Sequence, residues 1–94
     1  MEIARSDIVK SIAGRDKGKL FFVLDVEDEF FLLADGKTRK IENPKRKKCK
    51  HTEFAARFDC RVADKIKSEE KITNSELRRT LAAYREEVHP DQEG

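Results

Sequence analysis

The sequence predicts a mainly β protein with α-helices at its C-terminal end: five short strands that can close into a barrel, then a short helix and a capped amphipathic helix. Within residues 7–35, apolar runs alternate with a glycine-bounded turn and an acidic turn, which is the outline of three strands joined by tight connections. After Phe54 the apolar residues recur every four positions, the period of a helix. A capping pattern then precedes the last apolar stripe.

The composition indicates a folded but thin-cored protein with a very polar surface. The chain has 94 residues, which is one small domain with little core to spare. Charged residues make up 43%, against about 25% in an average globular domain. Leu, Ile, Val and Phe nonetheless number 23 of 94, above the roughly 20% below which disorder becomes the default.

The first three strands are predicted around two tight turns. We expect strands over residues 3–13, 19–26 and 30–34. Gly14 and Gly18 bracket the first turn, because glycine adopts positive φ readily and lets another backbone approach closely. The second strand is apolar on both faces, so one of its faces is expected to lie under another element.

Two further strands are predicted before the helical part. An Asp-Gly turn at 35–36 favours a hairpin that leads into a short fourth strand over 38–41. The Asn-Pro pair at 43–44 marks a break, and the basic residues 45–48 then form a loop. A fifth strand over 49–54 would close the sheet into a barrel.

Two helices are predicted after the strands. Phe58, Val62 and Ile66 lie four positions apart, which favours a short helix over 58–68. A second helix is expected over 74–87, with its apolar stripe buried against the first helix or the barrel. Its start, its stripe and its end are marked by a capping box, a hydrophobic staple and a proline: Thr73 with Glu76, Ile72 with Leu77, the stripe Leu77, Leu81, Tyr84 and Val88, and Pro90.

The charge is distributed very unevenly, although the net charge is only +2. Residues 1–36 carry 5 Lys/Arg and 8 Asp/Glu, and residues 52–94 carry 8 Lys/Arg and 10 Asp/Glu. Residues 37–51, between them, carry 8 Lys/Arg and one Glu. A local excess of this size points to an anionic partner.

The cysteines and the apolar runs bear on the cellular compartment. The N-terminal residues lack the apolar segment of a signal peptide, so we expect Cys49 and Cys60 to be free thiols in the cytoplasm. The longest apolar runs have five residues, whereas a membrane span needs about 20. Cys49, His51 and Cys60 follow no paired C-x-x-C spacing, so no metal site or other cofactor is predicted.

Residues 9–19, V-K-S-I-A-G-R-D-K-G-K, resemble the KOW motif, a strand–turn–strand found in ribosomal proteins and NusG-type transcription factors. The resemblance continues through V-L-D-V, F-x-L-L-x-x-G, the basic run and His51-x-Glu53. Over residues 5–54 the chain is similar to single-KOW large-subunit ribosomal proteins of archaea and eukaryotes and to small bacterial KOW proteins. The acidic turn 27–29 departs from that pattern and is a poor candidate for a phosphate contact.

The resemblance implies an SH3-like (KOW) five-stranded barrel over residues 1–54, a C-terminal helical extension over 55–94, and binding to RNA, chiefly ribosomal RNA. In a closed barrel the first turn should lie beside the 44–48 loop, so that both present cations to phosphates. The predicted RNA-binding residues are Gly14, Arg15, Lys17, Gly18, Lys19, Lys37, Arg39, Lys40, Lys45, Arg46, Lys47, Lys48, Lys50 and His51. No exposed aromatic pair forms an evident stacking platform, which favours recognition of RNA shape over base identity.

Each of these features has a plainer interpretation. The basic run can be a solvated loop, and the phenylalanines within strands are core residues more often than base-stacking ones. Asp16 is expected to accept hydrogen bonds from nearby backbone amides rather than to act in acid–base chemistry. The arginines of the second helix extend the RNA surface or are simply paired with neighbouring glutamates; they are Arg78, Arg79 and Arg85.

The sequence therefore favours a non-catalytic, ribosome-associated RNA-binding protein, monomeric away from the ribosome and with no membrane partner. It contains no nucleophile–base arrangement, no P-loop and no paired carboxylates in a credible cleft, and the domain is small for a deep pocket. The alternative is a protein–protein interaction module of the transcription or translation machinery, in which residues 74–87 dock into a partner's groove. A factor that joins ribosomes only transiently is a third possibility, because the acidic C-terminal part dilutes the basic character.

Overall fold

The structure, a computed structural model, describes residues 2–88. They form one five-stranded antiparallel sheet of order β4-β3-β2-β1-β5, with two helices after it. The elements are β1 (Ile8–Ser11), β2 (Leu20–Glu27), β3 (Phe30–Ala34), β4 (Lys45–Lys48), a 3-10 turn (Cys49–His51), β5 (Thr52–Ala56), α1 (Arg61–Lys67) and α2 (Asn74–Val88). The predicted β-rich class with C-terminal helices is confirmed.

The sheet is open, so the predicted closure by the fifth strand is wrong. β5 pairs with β1, and β4 pairs with β3, which leaves β4 and β5 at opposite edges. The 3-10 turn still brings one end of β4 near β5, because it joins the two strands directly, and the amide of Ile12 continues the β1–β5 pairing by donating to the His51 carbonyl at 3.0 Å.

Both helices pack on one face of the sheet, so the strands and the helical part share a core. Ile8 of β1 and Phe22 of β2, which are partners across the strands, are fully buried against this layer. The helices contribute four buried side chains, Val62, Ile66, Leu77 and Leu81. The prediction that one face of the second strand lies under another element is confirmed.

A second apolar cluster lies on the other face of the sheet. It consists of Val9, Phe21, Val23, Phe31 and Leu33. Ile3 and Cys49 pack against it and are partly buried. Of the four phenylalanines of the second and third strands, those at 21, 22 and 31 are therefore core residues, and Phe30 is half-buried.

The predicted fourth strand over 38–41 is wrong, because Asp35 folds that segment into a compact turn. One carboxylate oxygen of Asp35 accepts from the amides of Lys37 and Arg39, both at 2.9 Å, and the other accepts from the Thr38 hydroxyl at 2.7 Å. An aspartate that captures the backbone amides of the following residues competes with strand pairing. These hydrogen bonds, with burial opposing them, hold the pKa of Asp35 below its ordinary value.

The fourth strand instead lies over the basic run, which was predicted to be a loop. Lys45 and Lys47 face inward, whereas Arg46 and Lys48 are exposed. Charged residues are common on edge strands, because they discourage pairing with another chain. The inward lysines are tolerated because a carboxylate from the first turn lies opposite them.

The first strand begins later than predicted, because Asp7 anchors the preceding segment. Its side chain is 1% exposed and accepts from the Ala4 amide at 2.8 Å. Arg57, after β5, donates to both of its carboxylate oxygens at 2.9 and 3.0 Å. Burial raises the pKa of Asp7, but the Arg57 and Ala4 hydrogen bonds outweigh it and lower the pKa below 3.8.

The helices begin at the residues that can cap them. The Cys60 sulfur accepts from the Ala63 amide at 3.4 Å and starts α1, three residues after the predicted start. The predicted capping box of α2 is confirmed: Thr73 N–H donates to the Glu76 carboxylate at 2.9 Å, and Glu76 N–H donates to the Thr73 hydroxyl at 3.1 Å. The predicted stop at Pro90 lies outside the described residues.

Within residues 2–88 the structure holds no helix with the length and apolar character that a bilayer crossing requires. The two cysteines are free thiols, both partly buried. Burial raises the pKa of the Cys49 thiol, which keeps it in the less reactive protonated form.

The sheet-to-helix contact at Gly36 predicts a large loss of stability for Gly36→Ala. A Cβ there would clash with the Asn74 carbonyl oxygen, at a φ of +78°. We expect the free energy of unfolding to fall by about 3 kcal/mol in urea titrations. Gly18→Ala is the matched control, because its φ is +92° but its Cβ would meet nothing within 4 Å; we expect about 1 kcal/mol. Equal losses of unfolding free energy in the two variants would show that α2 moves to accommodate the added Cβ, and would contradict this prediction.

The buried Asp7 predicts that Asp7→Asn lowers the urea midpoint at neutral pH. Because the folded-state pKa lies below 3.8, the charge stabilises the fold fully above that value, and its contribution is lost as pH falls through the folded pKa. The gap between wild type and variant should therefore narrow below about pH 4. Asp59→Asn, at an exposed position, should show no such gap. If the urea midpoints of wild type and Asp7→Asn still differed by the same amount at pH 2, this explanation would be contradicted.

Candidate nucleic-acid interface

The first turn, residues 12–19, is closed by backbone hydrogen bonds that continue from β1 and β2. The amides of Gly18 and Ser11 donate to the carbonyls of Ser11 and Lys19 at 2.8 and 2.9 Å. Gly14 and Gly18 have φ values of +84° and +92°, which the left-handed bends of this turn require. The turn therefore has a fixed shape, and its basic side chains at 15, 17 and 19 are exposed.

Asp16 attaches this turn to β4. Its Oδ1 accepts from the Ser11 hydroxyl at 2.6 Å and from Lys47 Nζ at 3.0 Å, and its Oδ2 lies 3.3 Å from Lys45 Nζ. Burial raises the pKa of Asp16, but the hydrogen bonds of Ser11, Lys47 and Lys45 prevail and lower the pKa to about 2. The carboxylate is thus charged at neutral pH. The expectation that it accepts backbone amides is wrong, because its partners are side chains.

Lys47 has a structural role in the fold, and its predicted role in phosphate binding stays a prediction. The side chain is 9% exposed and also donates to the Ala13 carbonyl at 2.9 Å. An ammonium group that is buried and already donates to two acceptors has little capacity for an external phosphate. The predicted position of the first turn beside residues 44–48 is nevertheless confirmed by these contacts.

A cleft of about 200 Å³ opens where this turn, the 35–39 turn and β4 meet. Its lining brings together four predicted RNA-binding cations from three separate segments of the chain. The lining residues are Arg15, Asp16, Lys19, Phe21, Thr38, Arg39 and Lys45. We call this the turn cleft.

The turn cleft has an excess of uncompensated positive charge. Its one carboxylate, Asp16, is engaged by two lysines, as described above. Arg15, Lys19 and Arg39 take part in no ion pair with any carboxylate of the described residues. Cations on fixed turns that have no internal counter-charge attract an anion from solution.

Two further clefts flank α2 and contain basic residues. A cleft of about 250 Å³, the helix cleft, is lined by Asp35, Lys37, Arg78, Leu81, Ala82 and Arg85. Arg78 is fixed there, because it donates to the Gly36 carbonyl at 2.8 Å and to the Ser75 hydroxyl at 2.9 Å. Of the two interpretations of the α2 arginines, pairing with glutamates is not observed within residues 2–88, and Glu76 pairs with Lys65 instead, at 2.8 Å.

A third cleft, of about 430 Å³, lies between α2 and the β5–β1–β2 part of the sheet. Its lining residues are Lys10, Gly18, Leu20, Glu53, Phe54, Ala55, Tyr84 and Arg85. We call this the sheet cleft. Sequence reasoning missed it, although the alternation of β1 indicates that Lys10 projects from the same face as Ile8.

The other predicted residues lie outside the three clefts. Arg46 is held by Glu27 at 3.4 Å and stacks 3.7 Å above the Phe30 ring. Lys48 and Lys50 are exposed, and His51 is half-buried at the end of the 3-10 turn. Gly14, Lys17 and Lys40 are exposed on the turns. Among residues 2–88, no group of three His, Cys, Asp or Glu side chains is placed to hold a metal ion.

Comparison with known proteins adds no relative. No model of a known protein family matches the chain, and no curated protein matches it either. The resemblance to KOW proteins therefore depends on the residues quoted above, and the function proposed below depends on the geometry and charge of the clefts.

The buried pair predicts that Lys47→Met destabilises the fold, whereas Lys48→Met on the same strand does not. Loss of the Lys47 hydrogen bonds to Asp16 and Ala13 should lower the free energy of unfolding by about 2 kcal/mol, against less than about 0.5 kcal/mol at the exposed Lys48.

An NMR titration of the Asp16 carboxyl should show its pKa rising from about 2 in the Lys47 variant. Because the folded pKa is depressed, this stabilisation is present above pH 3.8 and lost as pH falls toward 2. Equal stability of the two variants would contradict the structural role.

Proposed function

We propose that this protein binds RNA without catalysing a reaction, and that the turn cleft is the main phosphate-binding site. The observation that carries the proposal is the convergence of Arg15, Lys19, Arg39 and Lys45 around a cleft whose single carboxylate is internally paired. Arginine forks onto phosphate oxygens in a bidentate manner, and lysine supplies a point charge. Ribosomal RNA, on the ribosome in the cytoplasm, is the partner we propose.

We propose further that the strands form an SH3-like arrangement of the KOW type. The strand order, the short 3-10 turn between β4 and β5, and a glycine-bounded first turn against β4 support this proposal. Closure by hydrogen bonds between the edge strands is not required for it, because the 3-10 turn joins β4 to β5 and the Lys47–Asp16 pair attaches β4 to the first turn.

Affinity in this proposal comes from the phosphates, so it depends on salt. Each phosphate neutralised by a fixed cation releases condensed counterions, and the binding constant falls as salt rises. The interaction alternative receives no support from α2, because Leu77 and Leu81 of its apolar stripe are buried in the core and are not free to dock into a partner.

The proposal predicts that a triple variant of the turn cleft, Arg15→Gln, Lys19→Gln and Arg39→Gln, loses RNA affinity. The slope of log K against log salt should fall by about 2–3, and the affinity for ribosomal RNA fragments should drop at least about tenfold near physiological salt. Lys45 and Lys47 are left intact, because they hold the turn. Fluorescence anisotropy at several salt concentrations measures both quantities.

The matched control removes the same charge elsewhere: Lys48→Gln, Lys50→Gln and Arg46→Gln, from the exposed face of β4 and the 3-10 turn. Its RNA affinity should fall less than that of the turn-cleft variant. Equal losses of RNA affinity in the two triple variants would show that the basic residues act only as diffuse positive charge and that the turn cleft is not a distinct binding site. Cosedimentation with ribosomes then separates a stable subunit component, which remains bound at high salt, from a transient factor, which is released.

A further inference from the structure

We propose that the sheet cleft receives an unpaired nucleotide of the bound RNA, its base against the apolar floor and its phosphate at Lys10 and Arg85. This inference rests on the proposed RNA binding and adds to it a preference for RNA with an unstacked base. It assigns one class of ligand to the sheet cleft, which the proposed phosphate binding by the turn cleft does not use.

The floor of the sheet cleft is apolar sheet surface that α2 leaves uncovered. Ile8 and Phe22 pair across β1 and β2 and are buried under the helices, and the next positions on the same face are Lys10 and Leu20, which also pair. Leu20 is only half-buried. Ala55 of β5, which packs against the same apolar cluster, continues this floor and is half-buried as well. The cleft volume, about 430 Å³, lies in the range of small-ligand sites.

Tyr84 supplies a wall of fixed orientation. Its ring meets the Phe58 ring edge-on with centroids 5.4 Å apart, and its hydroxyl lies 3.5 Å from the Ala55 carbonyl oxygen. Unpaired bases are commonly held by stacking on aromatic side chains, and an aromatic ring fixed in advance loses less entropy on binding. The sequence shows no evident stacking pair because the one aromatic wall, Tyr84 of α2, is brought beside β5 only by the fold.

The charges at the rim favour an anionic ligand. Lys10 and Arg85 are exposed, and neither forms an ion pair with any carboxylate of the described residues, not even Lys10 with its cross-strand partner Glu53. Glu53 is the one acidic residue of the lining; its carboxylate repels a phosphate but is able to accept a hydrogen bond from the amino group of a cytosine or adenine base.

Continuity with the other clefts favours a polyanion over an acidic peptide. Gly18 belongs to the sheet cleft, and Lys19 beside it belongs to the turn cleft. Arg85 lines both the sheet cleft and the helix cleft, where Lys37 and Arg78 also lie. A ligand that extends across these clefts meets cations at each of them, which matches a chain with one phosphate per residue.

The test compares a fully paired RNA hairpin with the same hairpin carrying one extra unpaired adenosine in its stem. The two differ by one phosphate, so electrostatics alone predicts nearly equal affinities. We expect the full-length wild-type protein to bind the bulged hairpin about tenfold more tightly. With 2-aminopurine in place of that adenosine, binding should change its fluorescence.

Two variants and two control variants locate the effect. Tyr84→Leu and the pair Lys10→Gln with Arg85→Gln should each reduce the tenfold preference to nearly onefold. Tyr84→Phe keeps the ring and should retain the preference, which guards against a folding defect in the leucine variant. The pair Lys71→Gln with Arg79→Gln removes the same charge from exposed positions outside the clefts and should also retain it.

Two outcomes separate this inference from the function on which it rests. Equal binding of both hairpins by the wild type overturns the nucleotide site and leaves phosphate binding by the turn cleft standing. Failure to bind either hairpin, or ribosomal RNA fragments, overturns the proposed function itself. Displacement of a bound acidic peptide, rather than of RNA, by the Lys10 and Arg85 substitutions would assign the sheet cleft to a protein partner and overturn the inference as well.

Discussion

The ion pair between Asp16 and Lys47 is the interaction on which the arrangement of the strands and clefts depends. It neutralises an inward-facing lysine, so that a run of four basic residues can pair as an edge strand. It also fixes the first turn over that strand, with Lys45 and Ser11 completing the contacts of the carboxylate. The turn cleft exists because the first turn and β4 meet here. Its unpaired cations, Arg15, Lys19 and Arg39, lie close to the two lysines that pair with Asp16.

The parts of the fold that could be predicted are those set by neighbouring residues. The third strand is an apolar run and was predicted with its observed bounds, Phe30–Ala34. The capping box at Thr73 and Glu76 was predicted for the same reason, since its hydrogen bonds join residues three positions apart. The position of the fourth strand could not be predicted in this way, because Lys47 and Asp16 are 31 positions apart in the sequence.

The candidate site was only partly predictable, because the sequence shows charge but not which charges are already paired. The basic run was correctly predicted to lie near the first turn, yet the Lys47 charge is paired with Asp16 inside the fold. Arg46 is also engaged, by an ion pair with Glu27 and by stacking on the Phe30 ring. Conversely, Arg39 gains importance because the turn built by Asp35 turns it toward the first turn. The sheet cleft forms where the sheet extends beyond the part that α2 covers, and no local sequence pattern predicts that position.

The open edge of β4 has a consequence for how copies of this protein behave toward one another. An unpaired strand edge offers backbone donors and acceptors to any other strand, and a flat apolar edge would extend into a larger sheet. Here the exposed side chains of that edge are Arg46 and Lys48, so two copies that approach edge to edge bring like charges together. Arg46 and Lys48 add to the basic character of the surface, and they also oppose aggregation of the protein through the β4 edge.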